Sequence, residues 1–168
     1  MLYFDFDGVI LDTEFLIFED WRKNRDKYKK LGWDKIKYLK NVDWEYVLNN
    51  SKIINDSIYY LKQIDPEESF ILTKIHSLEN EGAKKVKWSR ARDIKQPIIL
   101  VPYNLDKTNI VNAKGNVLVD DSLNNLDDWD KCGGQSVFFD IDNDNYDSWH
   151  LPNIKEYERV MSLSKFIK

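Results

Sequence analysis

The chain has 168 residues, of which 42% are hydrophobic and 32% are charged, a length and composition typical of one globular domain with a single core. The formal net charge of −4 leaves no basic excess to bind a nucleic-acid backbone, and the single cysteine, Cys132, excludes an intramolecular disulfide scaffold. Because the first residues lack a basic segment followed by a long apolar run, and no later stretch has the ~18 apolar residues of a membrane span, we expect a soluble cytoplasmic protein without membrane or nucleic-acid partners.

Five short apolar segments have the length of β-strands and lack polar alternation, as is typical of strands covered by helices on both faces. They are residues 2–6, 70–73, 97–101, 116–119 and 136–139. Helices are predicted at residues 78–93 and 123–131, and a last helix is predicted at residues 153–167. This alternation of strands and helices predicts an α/β domain with a doubly wound parallel sheet.

Residues 14–68 interrupt the alternation because they contain much helix-compatible sequence and no good strand. Helices are predicted there at residues 14–31, 44–50 and 53–64. A simple crossover between parallel strands needs only about a dozen residues, so we interpret the excess as a small helical subdomain inserted after the first strand. The predicted organisation is an α/β core of residues 1–13 and 69–168 with a helical insertion of residues 14–68.

Two pairs of carboxylates follow predicted strands. Asp5 and Asp7 end the first strand, where Gly8 permits a turn, and Asp120 and Asp121 follow a later apolar run. Ligands of open α/β sheets bind outside the carboxyl ends of the strands, so we expect the four carboxylates to converge. Two carboxylates about 4 Å apart repel by roughly 4 kcal/mol at an effective dielectric constant near 20, and Mg²⁺ would relieve that repulsion. The alternative, a pair of solvated loops or helix caps, is disfavoured because both pairs follow strands.

These motifs resemble those of the haloacid dehalogenase superfamily of phosphotransferases. Asp5-Phe6-Asp7-Gly8-Val9 is similar to the first motif of the superfamily, and Val117-Leu118-Val119-Asp120-Asp121 is similar to the last. Thr73 lies where the superfamily places a phosphate-binding Ser or Thr. The resemblance covers residues 2–139 and implies a Rossmann-like core in which residues 14–68 form a C1 cap.

The resemblance also implies a mechanism. Asp5 is the expected nucleophile that forms an aspartyl-phosphate, and Asp7 is the expected general acid and base. Mg²⁺ is expected at the Asp5 side chain, the Asp7 backbone carbonyl and one residue of the last acidic pair. Asp121 is the favoured ligand, with Asp120 beside it or acting through water, and the choice between them stays open.

Members of the superfamily carry a lysine between nucleophile and phosphate, and here two positions compete. Lys85 fits a Lys-x-x-Trp pattern associated with 5'(3')-deoxyribonucleotidase-like members. Lys107 lies 13 residues before Asp120, where a more generic member carries its lysine. Lys85 is favoured, and the choice stays open. Lys74 after Thr73 and Ser122 after the acidic pair depart from the nucleotidases.

The resulting hypothesis is a Mg²⁺-dependent phosphomonoester hydrolase for a small phosphorylated metabolite, with a nucleoside or deoxynucleoside monophosphate favoured. One alternative is a phosphatase of a sugar or other small-metabolite phosphate. Another is an inactive phosphate- or nucleotide-binding module, against which the complete set of expected catalytic residues argues. The tryptophans of the predicted insertion are either base-stacking residues or, as we favour, residues of its core. They are Trp21, Trp33 and Trp44.

Overall fold

The structure, a computed structural model, describes residues 1–141 and 157–167. Over these two ranges it contains six β-strands, which form one sheet with every neighbouring pair parallel. The strands are β1 (Leu2–Phe4), β2 (Ser69–Ile75), β3 (Ile98–Pro102), β4 (Val117–Asp120), β5 (Gln135–Phe139) and β6 (Glu158–Val160). Their order across the sheet is β3-β2-β1-β4-β5-β6, so the chain adds strands first on one side of β1 and then on the other. The predicted α/β fold with a doubly wound parallel sheet is confirmed.

Helices connect these strands. The α-helices of the described ranges are α1 (Thr13–Lys30), α2 (Lys35–Asn41), α3 (Trp44–Asn50), α4 (Ser57–Leu61), α5 (Ala83–Ala91), α6 (Lys107–Ile110) and α7 (Leu123–Lys131). A π-helical turn, Leu78–Gly82, precedes α5, and a 3-10 turn, Leu163–Phe166, follows β6. Among the residues described, no helix combines the length and the apolar character that crossing a membrane requires.

The five predicted strands are all present, with ends within two residues of the prediction. Their apolar character reflects burial on both faces of the sheet. Neighbouring residues on one strand, such as Leu118 and Val119 on β4, belong to two different apolar clusters. Each strand therefore needs apolar residues at consecutive positions, which is the pattern that the sequence shows.

Helices α1 to α4 lie between β1 and β2 in the chain, where the helical insertion is predicted. The predicted helix at residues 53–64 is reduced to α4. Ile53 instead forms an isolated antiparallel bridge with Leu11, and Asn55 and Asp56 adopt positive φ angles. Tyr38 and Trp44 of the insertion belong to the same apolar cluster as Phe4 of β1. The boundaries of a separate cap at residues 14–68 stay a prediction.

The predicted last helix is wrong for the part of it that the structure describes. Residues 157–167 contain strand β6 and the 3-10 turn, whereas residues 153–156 lie outside the described ranges. Strand β6 pairs with the outer edge of β5, with Val160 opposite Phe139, and buries Val160. Backbone pairing with an open sheet edge is a tertiary interaction, and here it outweighs the local helical preference.

Candidate active site

The candidate site lies at the carboxyl ends of β1 and β4, which are neighbours in the sheet. The chain order reverses between these two strands, and such a switch point is where open α/β sheets bind their ligands. Asp5 follows β1 directly, and its backbone N–H donates to the Val119 carbonyl at 2.9 Å. Carboxylate oxygens of Asp5, Asp120 and Asp121 lie within 4.8 Å of one another. The structure thus brings together three of the four predicted carboxylates in one group.

Gly8 allows the turn after Asp5 to pass against Asp121. Its φ angle is +75°, in the region that favours glycine. A Cβ atom at this position would lie 2.0 Å from Asp121 Oδ2, much closer than two non-bonded atoms approach. The close contact between the turn and the last acidic pair therefore requires glycine.

Asp7 does not belong to the three-carboxylate group of Asp5, Asp120 and Asp121, and its carboxylate is held by other partners. Its Oδ1 accepts a hydrogen bond from Thr13 Oγ1 at 2.6 Å, at the start of α1. Its Oδ2 accepts from Lys85 Nζ at 2.5 Å and lies 3.4 Å from Thr73 Oγ1. Residues from α1, β2 and α5 therefore fix Asp7 beside Asp5.

Lys107 is the cation of the three-carboxylate group. It is 2% exposed, and its Nζ lies 2.9 Å from Asp5 Oδ1 and 2.7 Å from Asp120 Oδ2. Asp120 is fully buried and also accepts from the Ser122 N–H at 2.8 Å and from Asn125 Nδ2 at 3.0 Å. Asp5 Oδ1 has no well-directed hydrogen bond among the described residues, so its contact with Lys107 is electrostatic. Within the described ranges, Asp120 thus accepts from three donor residues, Lys107, Ser122 and Asn125.

Lys85 serves the other carboxylate, Asp7. Its side chain is fully buried, and Nζ donates to Asp7 at 2.5 Å, to Glu81 Oε1 at 2.8 Å and to Thr73 Oγ1 at 3.2 Å. Burial lowers the pKa of Lys85, but the two carboxylates raise it by more, so its pKa lies above the usual value. The two competing lysines thus both reach the site, Lys107 at Asp5 and Lys85 at Asp7. Which of them contacts a phosphate stays a prediction.

The three-carboxylate group carries more negative charge than Lys107 compensates. Burial raises the pKa of Asp5 to about 7; Lys107 opposes this shift, and Asp120 and Asp7 add to it. Burial and the charges of Asp120, Asp5 and Glu14 raise the pKa of Asp121 well above its usual range. A cation among these oxygens would relieve both the repulsion and the cost of burial. Because the available donors are carboxylate oxygens, the group fits a hard divalent cation such as Mg²⁺.

A cavity of about 870 Å³ opens above these carboxylates. Its lining at the strand ends includes Asp5, Asp7 and Asp121. Apolar side chains from α1, α2 and α3 line another part of it, namely Ile17, Phe18, Ile36, Leu39 and Trp44. Thr73, Lys85, Lys107 and Asp120 are absent from the lining and are buried. Asp5, Asp7 and Asp121 therefore face the cavity at the strand ends, and the buried donors Thr73, Lys85 and Lys107 lie behind them.

The three tryptophans of the insertion have different surroundings. Trp44 lines the cavity, is 2% exposed and places its ring centroid 5.0 Å from Lys85 Nζ. Trp21 and Trp33 each stack on Tyr28, with ring centroids 5.7 and 5.5 Å from that of Tyr28 and interplanar angles of 3° and 4°, and neither lines the cavity. Trp21 and Trp33 thus have the packing role that the sequence analysis favours. Trp44 belongs to the core and also lines the cavity.

Sequence reasoning missed several residues that organise the site. Thr13 donates a hydrogen bond to Asp7, Asn125 donates one to Asp120, and Glu81 accepts one from Lys85. Glu14 lines the cavity, and its charge acts on Asp121. Of these, only Glu81 has a sequence signal, because a glutamate four residues before a lysine lies on the same face of a helix.

The raised carboxyl pKa values predict how stability depends on pH. A carboxyl whose pKa is higher in the folded than in the unfolded chain binds more protons when folded, between about pH 4 and pH 7 for Asp5. The free energy of unfolding of the metal-free protein should therefore lose this contribution as pH rises through that window. Because Asp121→Asn removes one of the repelling charges, it should flatten the decline, as measured by urea denaturation at successive pH values.

Asp26→Asn is the matched control, because Asp26 is an exposed carboxylate on α1. This control should keep the wild-type pH dependence. Added Mg²⁺ should stabilise the wild type most at and above pH 7, where the carboxylates are ionised, and stabilise Asp121→Asn less. Identical pH profiles for the wild type and Asp121→Asn would contradict the electrostatic description of the site.

Comparisons with known proteins bear on the fold. No family model matches the chain. Over 160 residues it is 24% identical to Protein PFF0380w of Plasmodium falciparum isolate 3D7, an alignment that covers 87% of this chain and 6% of that protein. The chain thus spans only a small part of that relative's length.

Solved structures give a fuller match. A dehalogenase superposes with a TM-score of 0.60 at 14% identity, covering 98% of this chain and 93% of its own. A protein described as a haloacid dehalogenase-like hydrolase, from Burkholderia xenovorans LB400, gives 0.59 at 13% identity, covering 99% and 96%. The haloacid dehalogenase-like family protein SP0104 from Streptococcus pneumoniae gives 0.50 at 10%, covering 82% of each chain. The chain therefore has the fold of the haloacid dehalogenase superfamily, as its sequence motifs imply.

Proposed function

We propose that the protein is a Mg²⁺-dependent phosphomonoester hydrolase that works through an aspartyl-phosphate intermediate. One observation carries the proposal: Asp5 and Asp7 both line the cavity, and each is held by its own buried lysine. A reaction that needs one carboxylate as nucleophile and a second as proton donor requires two neighbouring carboxylates in different surroundings. Haloacid dehalogenase-like folds among the solved structures agree with this assignment.

In the proposed first step, an Asp5 carboxylate oxygen attacks phosphorus and forms the Asp–O–P bond while the ester P–O bond breaks. Asp7 gives its proton to the leaving oxygen, so the product departs as an alcohol. In the second step Asp7 takes a proton from a water molecule, whose oxygen attacks phosphorus and breaks the Asp–O–P bond. Inorganic phosphate is released, and Asp5 is regenerated as a carboxylate.

The buried residues support these two carboxylates. Lys107 favours the ionised form of Asp5 and orients it, and Lys85 and Thr73 orient Asp7. By the superfamily pattern, Mg²⁺ would be held by the Asp5 side chain, the Asp7 backbone carbonyl and Asp121, and would neutralise charge on the phosphoryl group. Asp121 suits this role better than Asp120, because Asp121 lines the cavity and Asp120 is buried and engaged by Lys107, Ser122 and Asn125.

A nucleoside or deoxynucleoside monophosphate is the favoured substrate. Much of the cavity lining from the helical insertion is apolar or aromatic, including Phe18 and Trp44. Such a surface gains more by covering a planar base than by covering the hydroxyl groups of a sugar. A sugar phosphate is the alternative substrate, and an inactive binding module is the alternative class. A small phosphorylated metabolite as the only ligand, without a nucleic-acid or membrane partner, and a cytoplasmic location remain predictions.

The nucleophile and the acid-base residue give the first test. The wild type should hydrolyse a chromogenic aryl phosphate with Mg²⁺ and lose that activity when the metal is chelated. Asp5→Asn should abolish turnover, because it removes the attacking oxygen and a metal ligand together. Asp7→Asn should lower kcat by about 10²- to 10⁴-fold, because both proton transfers lose their group.

Thermal stability and the exposed-site variant Asp26→Asn are the controls, and the latter should keep full activity. Turnover by Asp5→Asn above about a hundredth of the wild-type rate would rule out the covalent mechanism. Loss of the nucleophile should cost more than loss of an acid-base group, which itself lowers the rate by about 10²-fold or more. Absence of turnover on a panel of phosphomonoesters would instead favour the binding module.

The substrate class is tested by two phenylalanines on α1. Phe18 lines the cavity and is 38% exposed, and Phe15, three residues earlier, is 57% exposed and outside the lining. If Phe18 packs on a nucleobase, Phe18→Ala should lower kcat/KM for a nucleoside monophosphate, because a stacking free energy of about 1–3 kcal/mol is lost. The same variant should leave kcat/KM for a small aryl phosphate unchanged. Phe15→Ala should leave both substrates unchanged. Equal losses on both substrates from Phe18→Ala would count against base recognition by this surface.

A further inference from the structure

We propose that Glu81 is a positioning residue that holds Lys85 in the active site, an inference that rests on the proposed function. Glu81 belongs to the π-helical turn before α5, four residues ahead of Lys85. Its side chain is 1% exposed, which is rare for a glutamate. A carboxylate at such a position needs several partners to offset the loss of its hydration.

Both oxygens of Glu81 are occupied, and they join two parts of the site. Oε1 accepts from Lys85 Nζ at 2.8 Å, on α5. Oε2 accepts from the backbone N–H of His76 at 2.7 Å and lies 3.2 Å from His76 Nδ1. Because His76 directly follows β2, which carries Thr73, this carboxylate ties the ammonium group to the end of the strand with the expected phosphate-binding hydroxyl.

The geometry at Lys85 shows what Glu81 contributes. The ammonium group has three hydrogens, and its close acceptors are Asp7, Glu81 and Thr73, at 2.5, 2.8 and 3.2 Å. Without Glu81, one donor would lose its acceptor, and the flexible lysine could move entirely onto Asp7. Such a move would change the distance between Lys85 and Thr73, which the proposed mechanism needs in order to orient Asp7.

The turn that carries Glu81 is itself fixed to the helical insertion. Asn80, the preceding residue, donates from Nδ2 to the carbonyl oxygens of Lys40 and Val42, each at 2.9 Å. Ser77 caps the turn by accepting from the Asn80 N–H at 3.1 Å. Single π-helical turns occur frequently at functional sites. This turn attaches to the insertion through one residue and to Lys85 through the next, so it has a defined position from which to hold the lysine.

A double-mutant cycle tests whether Glu81 acts through Lys85. The variants are Glu81→Gln, Lys85→Met and the two combined, and the measurements are kcat/KM for an aryl phosphate and the Kd of inorganic phosphate with Mg²⁺. Glu81→Gln should lower kcat/KM by about 10- to 100-fold, as expected when a buried charged group loses a charged partner. The combined variant should differ from Lys85→Met by less than about threefold, because the residue on which Glu81 acts is already absent.

Glu79→Gln is the matched control, since it removes an exposed carboxylate from the same turn and should leave kcat/KM and Kd unchanged. Losses that multiply in the combined variant would overturn the proposal. So would a lowered Tm of Glu81→Gln with unchanged kcat/KM and phosphate affinity, which would show a purely structural role. If Glu81→Gln does not fold, Glu81→Asp replaces it in the cycle, because the shorter side chain keeps the buried charge but draws the carboxylate away from Lys85. It should then lower kcat/KM in the wild type but not in the Lys85→Met background. A wild type that neither hydrolyses phosphomonoesters nor binds phosphate would overturn this inference and the proposed function together.

Discussion

Burial of carboxylates at the ends of two adjacent parallel strands is the constraint on which the site depends. Asp5 and Asp120 are nearly or fully buried, and Asp121 lies within the same group of oxygens. Several ionised carboxylates at such short distances are unfavourable unless cations lie among them. Among the described residues, Lys107 is the cation that contacts this group, and the remaining negative charge makes the group suited to a divalent metal. The charge imbalance that makes this group unfavourable to bury without a metal is therefore the property that would favour the binding of a divalent cation.

The fold meets this constraint by assigning one lysine to each carboxylate of the first motif. Lys107 reaches Asp5 from the start of α6, and Lys85 reaches Asp7 from α5. Both lysines are buried below the cavity, so the positive charge supports the carboxylates without closing the space in front of them. This separation gives two neighbouring aspartates different surroundings, as nucleophilic and acid-base roles demand. Gly8 completes the arrangement, since any side chain there would collide with Asp121.

Much of the fold could be predicted from the sequence because its central strands are apolar on both faces. The acidic pairs were predictable as well, since each directly follows such a strand. Strand β6 was not, because its residues form a strand through pairing with the edge of β5. The π-helical turn and the division of Lys85 and Lys107 between two carboxylates were also beyond the sequence. They depend on distances between segments far apart in the chain, and a local pattern carries no such distances.

The covalent role of Asp5 is the central claim, and the stereochemical course at phosphorus tests it most directly. A thiophosphate monoester made chiral with oxygen isotopes would be hydrolysed by the wild-type protein with Mg²⁺ in isotopically labelled water. Attack by Asp5 and then by water involves two in-line displacements, each of which inverts the configuration, so the account predicts net retention. Net inversion would show that water attacks the substrate directly, and it would contradict the aspartyl-phosphate mechanism.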